Sequence, residues 1–198
     1  MGSKLTQLAN ERTSAQLQVM SRESIKWLTK KINALKNPSG IASIINREDF
    51  RKHSRFQLGG LYYFYYDPKT KNSLDYYDRF PLVLVLDKDT EGFTGLNLHY
   101  LPVKYRIALL DKLMDFASLD SNNDIKRLRV TYEILNGSKR FREFKPCLKK
   151  YLYGHVQSKM LAVQSNEWDI AVYLPIQQFK KASVNEVWED SINEIRKN

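Results

Sequence analysis

Residues Pro81–Leu86 read PLVLVL, an unbroken apolar run that follows DYYDRF at 75–80 and precedes DKDTEG at 87–92. A short apolar run between turn signals has the length and composition of a strand buried on both faces. Leu84 at its centre is expected in the core. Upstream, Gln57–Tyr66 reads QLGGLYYFYY, with paired glycines and then an aromatic run of high strand propensity. Asp67-Pro68-Lys69-Thr70 has turn chemistry. Downstream, Asp87–Gly92 reads as a hairpin loop and Phe93–Tyr100 (FTGLNLHY) as a returning strand. Gly95 within it marks a bulge or a close backbone approach. Short strands joined by turns predict a small bent antiparallel sheet or an SH3-like barrel.

Helical patterns flank this block. In Ser21–Lys36, Ile25, Trp27, Leu28, Ile32 and Leu35 fall at steps of three and four, and Asn37-Pro38-Ser39-Gly40 ends the pattern. Ile41–Ile45 suits a second short helix. Pro102 opens an amphipathic helix over Val103–Leu119, and Leu128–Leu135 is strand-like. Phe144–Tyr153 reads as a helix with Pro146 in its first turn, where a missing N–H costs little. Ser158–Val163 and Trp168–Leu174 suggest a final strand or hairpin with Trp168 buried. Asn185–Arg196 reads as a terminal helix with Val187, Trp188, Ile192 and Ile195 on one side. The fold class is therefore α+β: a basic helical arm over residues 1–55, then an α+β domain over 56–198.

The chain has 198 residues and a formal net charge of +10, which favours polyanionic partners, nucleic acid before a membrane surface. The alternative is a merely soluble basic protein. One cysteine, Cys147, leaves no disulfide within the chain and fits a reducing compartment. Lysines on both sides of it can activate a thiol, but a buried structural cysteine is the favoured reading. The longest apolar run is too short to span a bilayer, and the N-terminal residues lack an apolar signal core, so a soluble protein used inside a cell is expected.

Catalytic motifs are absent. His53, His99 and His155 are far apart and have no metal-ligand spacing. Gly59-Gly60 lacks the Lys-Ser/Thr of a phosphate loop and reads as tight strand entry. A nuclease would need carboxylates converging on a divalent cation. Asp75 and Asp78 are the best such pair, but turn structure explains them more simply. No enzyme activity, metal or cofactor is expected.

Charge clusters are the sharper signal. Residues 138–160 carry Lys139, Arg140, Arg142, Lys145, Lys149, Lys150 and Lys159 against one acid, Glu143, and are interleaved with Phe141, Phe144, Tyr151 and Tyr153. Such cations contact phosphates; the aromatics are read as core. If Pro146 starts a helix, Lys149 and Lys150 lie near its phosphate-friendly end. Residues 1–58 hold eleven Lys and Arg against four Asp and Glu. There Arg22, Lys26 and Lys30 share a helix face, which an anionic partner would compensate. The expected DNA-binding residues are Lys139, Arg140, Arg142, Lys145, Lys149, Lys150, Lys26 and Lys30.

The words GGLYYFYYDPKTKNSLDYYDRFPLVLVL, GFTGLNLHYLPVKYRIALLDKL, FKPCLKKYLYGHVQSKML and EWDIAVYLPIQQF resemble a family of T-even-type tailed bacteriophages and their marine relatives, the DNA end protectors. The resemblance runs from about Ser21 to Phe179. It is not a catalytic motif and carries over no binding residue. It implies a virion protein, also present in the host cytoplasm during assembly and after injection. A few copies would cap the end of packaged double-stranded DNA and shield it from host exonuclease. The implied partners are that DNA end and phage portal or neck proteins, with self-association compatible and no membrane. The alternative is a neck or baseplate structural adaptor acting by protein–protein contacts, since fold and function separate easily.

Overall fold

A computed structural model describes residues 57–109, 144–163 and 167–197. Seven strands occur there: β1 (Leu61–Tyr63), β2 (Tyr77–Asp78), β3 (Leu82–Lys88), β4 (Gly92–Asn97), β5 (Leu148–Leu152), β6 (Leu161–Val163) and β7 (Phe179–Lys180). Helix occupies residues 103–109 (α1), Trp168–Ala171 (α2) and Val184–Arg196 (α3). Five strands form an antiparallel sheet in the order β5-β4-β3-β1-β6, while β2 and β7 form a separate ribbon.

The PLVLVL run is the middle strand, as expected, with every side chain from Leu82 to Leu86 buried. Strand alternation divides its neighbourhood between two cores. Leu61, Tyr63, Leu82, Leu84, Leu86 and Leu96 join a large cluster with Ile107, Trp168, Tyr173 and Val187 from the helical side. Tyr62, Phe64, Tyr66, Val83, Val85, Phe93, Tyr151 and Val156 build a smaller cluster on the other face. Leu84 and Trp168 are both buried, as the sequence predicts.

The antiparallel sheet of the α+β fold is present, but no closed barrel forms among the described residues. The edges β5 and β6 do not pair with each other. They are consecutive described strands, separated by a 3-10 turn at Tyr153–His155 and an isolated bridge between Tyr66 and Val156. The chain after β5 thus passes along the continuation of β1 instead of folding back on β5. Glycine at 59, with φ of 74°, supplies the left-handed turn that starts β1, where its N–H donates to the Val85 carbonyl at 2.7 Å.

Three local expectations are corrected. Residues 148–152 form a strand, not a helix. The reason is β4: a Cβ at Gly92 would collide with the Tyr151 carbonyl, so glycine there lets β5 approach. Gly95 serves the other neighbour, since a Cβ there would strike Val83 and Leu84. The β3–β4 register also shifts beside it, between Val85 and Asp87. Next, β4 stops at Asn97, whose side-chain oxygen accepts from the His99 N–H at 3.1 Å and turns the chain into a 3-10 turn over Leu98–Tyr100. Last, Trp168–Ala171 is one helical turn and not a strand; the Trp168 indole donates to the Val163 carbonyl at 3.2 Å.

The terminal helix appears as expected, with Val187 and Ser191 buried. Its start is fixed by a reciprocal cap between Ser183 and Glu186. Helix begins directly after Pro102, and the remainder of the expected Val103–Leu119 helix lies outside the described residues. So do the 1–55 arm, both of its expected helices and the Leu128–Leu135 strand.

Candidate nucleic-acid interface

Of the eight residues expected to contact DNA, the structure describes Lys145, Lys149 and Lys150; Lys139, Arg140, Arg142, Lys26 and Lys30 lie outside the described residues. The three described lysines lie on β5 or in the turn that enters it. Among the described residues no helix N-terminus stands behind Lys149 and Lys150, which lie on a strand. Lys145 is exposed, with its ammonium 3.8 Å from Glu194. Adjacent strand residues point to opposite faces, so Lys149 and Lys150 part company. Lys150 is exposed and pairs with Asp89 in the β3–β4 loop. Lys149 is half-buried, and its ammonium lies 4.3 Å from the centre of the Tyr100 ring. Burial pushes its pKa down. This cation is held by the domain's own aromatic face.

Another group of cations surrounds the β2–β7 ribbon. Tyr77 faces Lys180 and Asp78 faces Phe179 in its register. The Arg79 N–H continues the ladder to the Gln178 carbonyl at 3.0 Å. Asp78 is buried, so alternation turns Tyr77 and Arg79 to the opposite face. Arg79, Gln178 and Lys180 are exposed and Tyr77 is half-buried. Lys181, at φ of 71°, reaches back to donate to the carbonyls of Asn72 at 3.1 Å and Leu74 at 2.7 Å. It thereby ties the 68–74 loop, which bears exposed Lys69 and Lys71, to the ribbon. Lys71 is engaged by Asp67 at 2.9 Å. Scanning the sequence for charge missed this group because β2 and β7 stand about a hundred residues apart.

The anchor of the ribbon is a buried polar cluster. One carboxylate oxygen of Asp78 accepts from the N–H of Phe80 at 3.0 Å and of Gln178 at 3.1 Å, so it holds both strands. The other oxygen lies 2.7 Å from His99 Nδ1 and 3.3 Å from Asn97 Nδ2. Burial alone would push this carboxyl up; the His99 ring and the two amides outweigh it and hold the pKa below the usual value. His99 is fully buried, and burial pushes its pKa down despite Asp78, with Arg106 adding to the depression. The ring is therefore neutral, donating from Nδ1 to the carboxylate. Its Nε2 has no hydrogen-bond partner among the described residues.

Arg106 completes this cluster. Its guanidinium is fully buried and donates to the carbonyls of Leu101 at 2.6 Å, Val172 at 3.3 Å and His99 at 3.4 Å, and it lies 5.5 Å from the Trp188 ring centre. One cation thus joins α1, the 3-10 turn and the segment after α2. Asp78, weighed from sequence as a catalytic carboxylate, is occupied by structural bonds, while Asp75 is exposed. Among the described residues no group of three or more His, Cys, Asp or Glu is placed to hold a metal ion. Cys147 is buried, and burial pushes its thiol up to about 12, which removes thiolate character. No described helix is long and apolar enough to cross a membrane.

Comparison with known proteins adds one finding. A family model described as phage T4 terminal DNA protecting protein matches residues 4–191. No curated protein and no solved structure matches.

Proposed function

Because the chain belongs to the phage T4 terminal DNA protecting protein family, we propose that it caps the ends of packaged double-stranded DNA in the virion and shields them from host exonuclease. The family match over residues 4–191 carries this reading. The net charge of +10 supports it, because a polyanionic duplex end is the natural partner of such a surface. Protection works by occupancy: the protein excludes the nuclease from the terminus and performs no chemistry itself. The free end of a packaged genome places the protein beside portal or neck proteins in the particle, and in the host cytoplasm during assembly and after injection.

Within this reading, Lys139, Arg140, Arg142, Lys145 and Lys150 meet the phosphate backbone, with Lys26 and Lys30 of the N-terminal segment adding to them. Lys149 is left out, since its ammonium lies on Tyr100. Phosphate contacts position a protein without reading bases. The test is digestion of a blunt linear duplex by a processive exonuclease in the presence of the full chain. Protection is expected to saturate at a fixed number of chains per end, whatever the duplex length. Protection that scales with duplex length, or none at low salt, would overturn the reading.

A further inference from the structure

We propose that the outer face of the β2–β7 ribbon, through Arg79 and Lys180 together with Lys69 of the adjoining loop, is a phosphate-contacting surface for duplex DNA. The proposal rests on the DNA-binding reading above and assigns it a surface at a distance in sequence from the 138–160 cluster.

Three observations support it. First, the ribbon is held from behind. Asp78 binds the backbone of both strands, and Lys181 ties the 68–74 loop to them, so the outward side chains stand on a fixed support. Second, that face is cationic: Arg79, Gln178 and Lys180 are exposed, Tyr77 lies across from Lys180, and none of the four is acidic. Third, its cations are available. Lys145 and Lys150, from the cluster the sequence singles out, pair with carboxylates, as does Lys71 in the loop. Arg79, Lys180 and Lys69 form no ion pair among the described residues. A cation without a protein counter-charge gives up no ion pair when it meets a phosphate, and each phosphate neutralised releases condensed counterions from DNA. The exposed Asp75, two positions before Tyr77 and outside the paired residues of the ribbon, lowers the local charge.

The experiment uses the full chain in a salt titration of binding to a blunt duplex. It compares wild type, Arg79→Gln/Lys180→Gln, and the control Arg196→Gln/Lys197→Gln. The control residues end α3, whose thirteen residues carry them about 20 Å from its ribbon-side start at 1.5 Å per residue. The ribbon variant is expected to flatten the slope of log affinity against log salt by ~0.9 for each phosphate it no longer neutralises, with the control near wild type. An unchanged slope in the ribbon variant, or equal flattening in both variants, would overturn the ribbon assignment while leaving the DNA reading in place. Failure of wild type to bind at low salt would overturn the DNA reading itself. Lysine acetylation of wild type provides a measurement independent of any variant: bound duplex is expected to protect Lys180 and not Lys197, and equal modification with and without DNA would count against the ribbon.

Discussion

The two faces of the five-stranded sheet are both buried but are held by different chemistry. One carries Phe64, Tyr66, Phe93 and Tyr151 in mutual ring contact, with Phe64 edge-on to Tyr151 at 5.2 Å and Phe93 stacked on Tyr151 at 5.3 Å. The other carries leucines together with rings such as Tyr63 and Phe80 under three helical segments, and beside them lie the buried Asp78, His99 and Arg106. Aromatic packing gains area and tolerates small changes of ring position. Buried charge gains only when its partners are all in place, and it costs several kcal/mol per ion when one is missing. The helical face therefore specifies the arrangement of distant segments, and the aromatic face mainly contributes bulk burial.

The sharpest way to break this contrast is Arg106→Ala. It strips the Leu101 and Val172 carbonyls of their side-chain donor, leaves the His99 carbonyl to the Trp188 indole at 3.0 Å, and leaves Asp78 without a nearby buried cation, so a loss of ~3–5 kcal/mol is expected. Urea denaturation measures it; a loss below about 0.5 kcal/mol, the range of surface changes, would show that the cluster is not structural. Leu84→Ala, in the middle of β3 on the same face, should cost about 2–5 kcal/mol by cavity formation. The same denaturation assay reads it, and the loss should be independent of pH.

Acid separates the faces further. His99 has a folded-state pKa below its ordinary 6.5, so the unfolded chain binds the extra proton first. Its contribution is full above that value and declines as pH falls toward the folded pKa. Asp78 is also depressed, so its contribution is present above its ordinary 3.8 and is lost as pH falls through the folded value. Stability should therefore fall from about pH 6.5 downward, with a slope of up to ~1.4 kcal/mol per pH unit for one proton. His99→Gln should flatten the first part of that fall; a limb unchanged by the substitution would contradict the assignment.

On the aromatic face, Tyr66→Phe removes only the hydroxyl that accepts from the Leu152 N–H at 3.2 Å. A loss of ~0.5–1.5 kcal/mol is expected by the same denaturation, and near-neutrality would mean that water replaces the bond. Smallest of all is Lys150→Gln, which breaks an exposed pair with Asp89 and should cost ~0–1 kcal/mol, declining with added salt.

What the sequence revealed of this fold follows from how local each signal is. PLVLVL was legible because burial on both faces leaves an unbroken apolar run, and the terminal helix because its stripe spans three turns. Cys147, Leu148, Tyr151 and Leu152 also fit a helical stripe, yet they belong to the entry and body of a strand. The competing signal sat some fifty residues away, in Gly92 and Gly95 of β4. Trp168–Leu174 misled in the opposite sense: one helical turn is too short to show its period, and its residues favour strands. At the candidate interface, runs of lysine were visible where they adjoin in sequence. Arg79 and Lys180 were not, because a two-residue strand gives no pattern and their proximity arises only from pairing across the chain. The fate of Lys149 was equally hidden, since nothing local couples it to Tyr100.

The pairing of β2 with β7, and of β1 with β6, has a consequence for biosynthesis. The β3–β4 hairpin can close as soon as its own few residues have left the ribosome, and β1 can join β3 soon after, but the other edge of β1 must wait for β6, a hundred residues downstream, and β2 for β7 further still. Until then the aromatic edge of β1 and the carboxylate of Asp78 lack their final neighbours. Pairings of such sequence separation are slow to form and expose strand edges while they are pending. The late strands β6 and β7 therefore complete the early strands β1 and β2 of the described residues, and a chain released before β7 has no ribbon to offer a partner.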